Sequence, residues 1–181
     1  LSGFKERYPK MGFEISLSDG LVNIVDDDYD LAIRISSQPS DKFTIWRKIR
    51  IVPRILVAAP GSRFVDMQHP NELTPDDCLA YSGESRRENW VLSDSGSSMT
   101  ISAGRAFSAN SGEVLADMAA DGSGVAMLPN FHVSEHLRNG RLVHVFKGWA
   151  PTDLWLTLYY PPYQALPPRL ASFSKFFEEQ V

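Results

Sequence analysis

An α/β fold is the class that this sequence predicts, and residues 105–131 (RAFSANSGEVLADMAADGSGVAMLPNF) predict it most directly. A strand-like run at 106–109 comes first, and apolar residues at helical spacing follow between 114 and 119. The run at 125–128 is continuously apolar and is closed by Pro129, which is typical of a buried parallel strand. Strand, helix and buried strand in this order predict a right-handed βαβ unit.

The start of that helix is the strongest candidate for a ligand site. Asn110 is predicted to cap the helix, with Glu113 reaching back to it as in a capping box, and Gly122 is predicted to end it. The helix N-terminus carries free N–H groups and faces the carboxyl ends of the strands, where open α/β sheets bind ligands. We therefore expect a pocket beside Asn110 and Ser111. Simple capping by these residues is the alternative interpretation, and the two roles can coexist.

Composition and charge are those of an ordinary globular protein. The 181 residues are 43% hydrophobic and 22% charged, which suits one large domain or two small lobes and excludes disorder as the main state. The net charge of -4 leaves no basic stripe for gripping nucleic acid. A single cysteine, Cys78, fits a reducing compartment. The sequence has no export leader and no apolar run near the ~18 residues needed to span a bilayer, so we expect a cytoplasmic protein without a membrane contact.

The first 35 residues predict a helix and then a second βαβ unit. The helix covers residues 1–8, and Pro9 stops it. Alternation at 13–17 predicts a strand, the apolar residues at 21–25 predict a short helix, and 31–35 reads as the next strand. Four residues then fall at strand ends or at the helix start and could share one rim: Ser18, Asp19, Arg34 and Ile35.

The middle and the end of the chain supply the remaining elements. Alternating or apolar runs predict strands at 43–49, 55–59, 142–146 and 154–158, and a hairpin that pairs 90–92 with 99–101. Helices are predicted after Thr74, with Pro75 at the first position, and over 131–139, ended by Gly140. A C-terminal helix is predicted from its apolar face of Leu170, Phe173, Phe176 and Phe177.

Eight segments of the sequence stand in a characteristic order: FKERYP, FEISLSD, YDLAIRI, LVAAPGSRF, DDCLAY, NSGEVLADMAADGSGVAMLPNF, GRLVHVF and PPRLASFSKFF. Together, over nearly the whole chain, they resemble the effector-binding domain of LysR-type bacterial transcriptional regulators. YDLAIRI and GSGVAMLPNF are the most specific matches. The resemblance implies a fold similar to the type 2 periplasmic binding proteins, in which two Rossmann-like α/β lobes are joined by two crossover strands and hold a small effector in the cleft between them.

The resemblance also implies the domain boundaries. Lobe I would comprise residues 1–56 and 158–181, and lobe II would comprise 57–157, with crossings near 55–58 and 154–158. The family's domain usually begins with a strand and a loop ahead of FKERYP, so a first strand of lobe I is expected to be missing. The winged helix-turn-helix that normally precedes the domain is likewise expected to lie outside this sequence, and any DNA binding is expected to belong to it.

Strand-end positions and the resemblance together indicate where an effector would bind. Arg34 and two helix N-termini favour a small organic anion, and Phe131 would add an apolar wall. Arg34 could instead form an ordinary ion pair, and Ser18 and Asp19 could simply cap a helix. The candidate effector-binding residues are Ser18, Asp19, Arg34, Ile35, Asn110, Ser111, Pro129 and Phe131.

The resemblance further implies a homodimer or tetramer built from antiparallel, side-by-side pairs. The helix near Phe4 and Tyr8 of one copy would pack against the helix at 114–120 of the other. Charging Leu115 or Met118 is therefore expected to shift a dimer toward monomer. Should these side chains serve only the core of their own lobe, the protein is expected to unfold instead.

No metal, cofactor or catalytic site is expected. His132 and His136 have a spacing that can hold zinc, but a third ligand and the glutamate of the HExxH pattern are lacking. Cys78 has no second cysteine and no cationic neighbour, so a buried small hydrophobe is favoured over a redox sensor. The sequence contains no nucleophile elbow and no phosphate cradle. Two rival functions are an extracytoplasmic solute-binding protein of a transporter, which would need a secretory leader, and an enzyme, which would need an acid–base pair in a pocket.

Overall fold

The computed structural model describes residues 1–18, 24, 29–37, 45–82 and 87–181. It divides into two compact units, which are described separately below. Unit 1 contains Leu1–Ile51 and Trp155–Val181, and unit 2 contains Val52–Leu154. Within the ranges just given, no helix combines the length and the apolar character needed to cross a bilayer.

Four helices accompany sheets that contain both parallel and antiparallel strands, which confirms the predicted α/β class. The helices are α1 (Ser2–Arg7), α2 (Gly112–Ala120), α3 (Asn130–Arg138) and α4 (Pro168–Gln180). Short 3-10 turns occupy Arg63–Val65 and Pro70–Glu72. The strands are β1 (Ala32–Ser36), β2 (Ile45–Val52), β3 (Arg54–Ala58), β4 (Cys78–Tyr81), β5 (Glu88–Ser93), β6 (Ser98–Ala103), β7 (Ser108–Ala109), β8 (Val125–Pro129), β9 (Val143–His144), β10 (Ala150–Pro151) and β11 (Leu154–Tyr160).

Unit 1 is built on a sheet in the order β1-β11-β2, with β11 in the middle and antiparallel to β1. An aromatic cluster packs α1 with α4. Phe4 is fully buried, and its ring centroid lies 5.3 Å from that of Phe173 and 5.1 Å from that of Phe176. The hydroxyls of Tyr160 and Ser174 share a buried hydrogen bond of 2.7 Å, which fixes α4 against the middle strand.

Unit 2 contains a five-stranded sheet in the order β7-β4-β8-β3-β9. β4 runs parallel to both of its neighbours, β7 and β8, whereas β3 is antiparallel to β8 and β9. Helix α2 connects β7 to β8, so the predicted βαβ unit with parallel strands is confirmed. One core cluster includes Trp90 and Leu92 of an antiparallel sheet ordered β10-β5-β6, and a second includes Leu115 and Val133 of the helices.

Gly124 sets the close approach between β4 and β8. A Cβ added at this position would lie 2.5 Å from the carbonyl oxygen of Asp77, and the next residue, Val125, donates its backbone N–H to that same oxygen at 2.8 Å. Because only glycine leaves room for this carbonyl, the start of the parallel ladder depends on it. Gly122 and Gly140 follow α2 and α3 with φ of +85° and +69°, as their predicted role in ending helices requires.

Three local predictions are wrong. Residues 13–17 form neither strand nor helix, because alternating apolar side chains make a strand only when a neighbouring chain supplies hydrogen bonds. No helix follows Thr74, since its N–H and hydroxyl both donate to the Asp77 carboxylate and close a turn. The N-cap of α2 is Ser111 and not Asn110, so the predicted capping box with Glu113 does not form. The predicted helix at 21–25 lies outside the described residues except for Ile24.

Candidate functional site

Two helices of unit 2 begin at the same edge of its sheet. β4, β7 and β8 are parallel, so their carboxyl ends at Tyr81, Ala109 and Pro129 lie along one edge. α2 starts three residues after Ala109, and α3 starts directly after Pro129. Both N-termini therefore present backbone N–H groups and partial positive charge at this edge. We call it the carboxyl edge of unit 2.

Four of the predicted effector-binding residues lie at this carboxyl edge. Ser111 caps α2, its hydroxyl oxygen accepting from the N–H of Val114 at 3.4 Å, and Asn110 just before it is exposed. Pro129 is buried at the end of β8, whereas Phe131 in the first turn of α3 is 53% exposed. An exposed phenylalanine beside two helix starts offers an apolar contact next to anion-friendly groups.

The first turns of α2 and α3 are in unusually close contact. A Cβ at Gly112, the first residue of α2, would lie only 2.6 Å from the ring of His132 in α3. The His132 ring also stands against Phe131, with centroids 4.3 Å apart. Glycine at 112 therefore allows the first turn of α2 to pack directly against the His132 side chain of α3.

A groove of about 400 Å³ runs between α2 and α3 and begins at these first turns. His136 lies 3.7 Å from Asp117, which also receives Arg141 at 3.5 Å. Across the described part of the chain, no three His, Cys, Asp or Glu side chains are grouped as a metal ion would require. The groove is lined by Glu113, Asp117, Phe131, His132, Glu135 and His136.

The predicted effector-binding residues of unit 1 that the structure describes do not share one edge, unlike those of unit 2. Arg34 is the third of five residues in β1 and not at its end, and its guanidinium lies over the ring of Tyr159, 5.0 Å from the centroid. Its backbone neighbour across the sheet is Thr157. Ile35 and Ser18 are exposed, and Asp19 lies outside the described residues. The strand expected to bring Ser18 to a shared rim with Arg34 is not formed.

A partly buried polar network that sequence reasoning missed also reaches the carboxyl edge. Arg54 stands opposite Pro129 in the ladder between β3 and β8, and it donates to Glu88 at 3.1 Å. Glu88 also accepts from the backbone N–H of Tyr81, the last residue of β4, at 3.0 Å. Burial raises the pKa of Glu88 and lowers the pKa of Arg54, and their mutual attraction opposes both shifts. No local sequence pattern could connect residues 34 positions apart.

The described structure places Cys78 in the core of unit 2, as predicted. It is fully buried at the start of β4, and burial raises the pKa of its thiol to about 12. A thiol that stays protonated is a poor nucleophile, so the interpretation as a small buried hydrophobe is confirmed.

Two of the predicted dimer-interface residues are not accessible. Phe4 and Leu115 are fully buried in their own units, because each fills a core beneath its helix. Tyr8 and Met118 are half-buried and keep some surface for a partner. On α2, the exposed apolar residue is Val114, at 45%.

The family profile described as LysR substrate binding domain matches residues 1–181. The HTH-type transcriptional regulator PtxR of Pseudomonas aeruginosa is 25% identical over 182 residues, covering 99% of this chain and 58% of PtxR. The HTH-type transcriptional regulator YhjC of Escherichia coli K12 is 30% identical, covering 97% of this chain and 60% of YhjC. The chain thus spans less than two thirds of the length of these relatives, and of two others, an uncharacterized HTH-type transcriptional regulator of Haemophilus influenzae and TtdR of Escherichia coli K12, it spans 62% and 52%.

Solved structures share the fold. The regulatory domain of CrgA, a LysR-type transcriptional regulator from Neisseria meningitidis, superposes with a TM-score of 0.78 at 23% identity, covering 99% of this chain and 89% of that one. The regulatory domain of the C227S variant of AphB from Vibrio vulnificus gives a TM-score of 0.75 at 25% identity, covering 97% of this chain and 86% of that one.

Proposed function

Since this chain belongs to the LysR substrate binding domain family, we propose that it is the effector-sensing part of a transcriptional regulator and that it binds a small organic anion. The family that the sequence resembles is confirmed by the match over residues 1–181. The relatives reported above are transcriptional regulators, so the rival interpretation as a solute-binding protein of a transporter finds no support among them. They are not enzymes either, which agrees with the expected lack of catalysis at the family level.

The observation that carries this proposal is the convergence of two helix starts at the carboxyl edge of unit 2. Free N–H groups of α2 and α3 offer hydrogen bonds to an oxyanion, and their dipoles favour negative charge there. Phe131 would contact the apolar part of the same ligand, while Asn110 would donate its side-chain amide. Ser111 is already used as a cap, so its effector contact would involve the remaining capacity of the hydroxyl.

A thermal-shift screen tests this directly. The probes are small mono- and dicarboxylates, each paired with its uncharged amide. A carboxylate present at ~100 times its dissociation constant should stabilise the protein by about 2.7 kcal/mol, while its amide should have a much smaller effect. Phe131→Ala should reduce the shift, whereas Val91→Ala, another exposed apolar residue of unit 2, should leave it unchanged. If no carboxylate shifts the transition, or Val91→Ala weakens the shift equally, this site assignment is wrong.

Arg34 is a separate proposal within unit 1. It would pair with a carboxylate of the effector, and its position over Tyr159 would orient the guanidinium. Arg34→Ala should abolish the shift produced by a carboxylate. Arg50→Ala removes an exposed arginine of β2, a strand of the same sheet, and serves as the matched control. An unchanged shift in the Arg34 variant would remove this residue from the site.

The remaining proposals concern the whole regulator. We propose that it acts in the cytoplasm as a homodimer or tetramer, with Tyr8 of one copy near Val114 and Met118 of the other. DNA binding would belong to a winged helix-turn-helix outside this chain. An effector would change the assembly on DNA only if it bound one conformation better than another. Sedimentation of Met118→Glu against Val91→Glu tests the interface, since only the first should shift a dimer toward monomer.

A further inference from the structure

Arg54 stands at a distinctive place in the chain. The chain passes from unit 1 to unit 2 between Ile51 and Val52, and it returns to unit 1 between Leu154 and Trp155. Arg54 follows the first of these crossings closely, and Thr152 shortly precedes the second. Both residues belong to unit 2, although 98 positions separate them in the sequence.

Arg54 holds the segment before the second crossing by its backbone. Its Nε and Nη2 atoms both donate to the carbonyl oxygen of Thr152, at 2.9 and 2.7 Å. The N–H of Thr152 donates in turn to the carbonyl of Val91 in β5 at 3.1 Å. The Arg54 side chain retains only 11% exposure, whereas Thr152 is exposed. An arginine fork can make both bonds at once, which a lysine cannot.

Glu88 completes the arrangement from the other side. One carboxylate oxygen accepts from Arg54, and the other accepts from the backbone N–H of Tyr81 and, at 3.1 Å, from the indole of Trp90. Its side chain is 20% exposed. A single carboxylate therefore connects the end of β4 and strand β5 to the arginine that holds Thr152.

A contribution to the free energy of unfolding does not by itself explain why Arg54 and Glu88 are paired here. Removing two charges from water costs free energy, and well-packed apolar side chains of similar volume often stabilise a protein as much as a buried ion pair does. The pair does supply directional bonds to two backbone groups, Thr152 C=O and Tyr81 N–H. Such bonds fix segments that would otherwise slide or detach.

We propose that Arg54 and Glu88 form a brace, a pair of positioning residues that fixes both crossing segments to the end of β4. Tyr81 lies at the carboxyl edge of unit 2, so an effector binding there would act on one end of the brace, and the crossings would respond at the other. This regulatory role rests on the proposed function, whereas the brace itself does not.

Hydrogen exchange measured residue by residue on the ligand-free chain tests the brace. The amide of Thr152 reports the arginine end, the amide of Tyr81 reports the glutamate end, and the amide of Val125 reports the sheet core. Arg54→Met should raise exchange at Thr152 by about fivefold or more, the effect of losing local hydrogen bonds, with Val125 unchanged. Glu88→Gln should raise exchange at Tyr81 in the same way.

Two further variants keep the test decisive. Arg54→Lys retains the charge and a single donor nitrogen, so it should fold and give a smaller rise at Thr152 than Arg54→Met gives. Arg141→Met removes an arginine paired with Asp117 and Asp121 elsewhere in unit 2 and should leave Thr152 unchanged. Equal rises at Thr152 and Val125 in the lysine variant, or no rise at Thr152, would overturn the brace. Either result would leave the effector proposal untouched, because no ligand is present.

Discussion

Gly124→Ala is the substitution for which the structure gives the clearest expectation. The backbone conformation at Gly124 is one that alanine can adopt, so the effect of the substitution comes only from the steric clash of the new Cβ. The new Cβ would lie 2.5 Å from the carbonyl oxygen of Asp77, about 0.9 Å closer than the 3.4 Å at which ordinary contacts begin. Two carbons of Leu79 would also stand at 3.1 Å. Since the oxygen belongs to the backbone, β4 and β8 must separate where Val125 donates to it.

The expected cost follows from two opposing effects. Overpacking a close contact typically costs about 1–3 kcal/mol, and weakening the Val125 hydrogen bond adds about 1 kcal/mol. Alanine restricts the unfolded chain more than glycine does, which returns about 0.4–1 kcal/mol. We therefore expect a net loss of about 1–3.6 kcal/mol in the free energy of unfolding. For a unit of ~100 residues each kcal/mol lowers Tm by about 4–8 °C.

Urea unfolding followed by circular dichroism is the assay, and Gly96→Ala is the control. Gly96 lies in the loop between β5 and β6, and a Cβ there would meet nothing within 4 Å. The control should stay within about 0.5 kcal/mol of the parent, as surface substitutions usually do. The Gly124 variant should have a lower midpoint with the same slope. Equal stability of the two variants would refute the close approach between β4 and β8.

Three further outcomes are expected. Leu115→Ala should destabilise unit 2 by about 2–5 kcal/mol without changing the oligomeric state, because this side chain is fully buried; a shift to monomer at unchanged stability would contradict its place in the core. Ser111→Ala should cost about 1 kcal/mol in thermal unfolding and Asn110→Ala much less, since Ser111 is the cap; the reverse order would support Asn110. The Cys78 pKa is raised from 9.0 to about 12, so the thiol is protonated in both states below pH 9, and stability falls above it as the unfolded chain loses the proton. Urea unfolding should show a loss of about 1.4 kcal/mol between pH 8 and 10 that Cys78→Ala lacks, and an equal loss in that variant would exclude Cys78 as the cause.

The βαβ unit at 105–131 could be predicted because its signals are local. Apolar spacing, a polar cap, a glycine and a closing proline each act within a few residues, so sequence alone carries them. The observed N-cap lies one residue after the predicted one, since Asn110 and Ser111 are both good N-cap residues and only backbone geometry chooses between them.

The parts that sequence could not reveal depend on contacts across the chain. Residues 13–17 alternate like a strand, but a strand is defined by its partner, and none is found for them within the described residues. Arg54 and Glu88 become a pair only after β3, β4 and β5 have come together. Leu115 lies on the helix that the family resemblance assigns to the interface, and burial beneath that helix is a property of the folded unit.

The interleaved order of the units has a consequence for synthesis on the ribosome. Unit 2 is one continuous stretch, so all of its strands have emerged once residue 154 leaves the exit tunnel. The sheet of unit 1 forms later. Its strands β1 and β2 are translated before unit 2, but its middle strand β11 is translated after unit 2. Nascent chains fold from the N-terminal side as they appear. In this chain unit 2 can therefore fold first. Strands β1 and β2 remain unpaired and open to chaperones until β11, which lies between them in the sheet, has been synthesised.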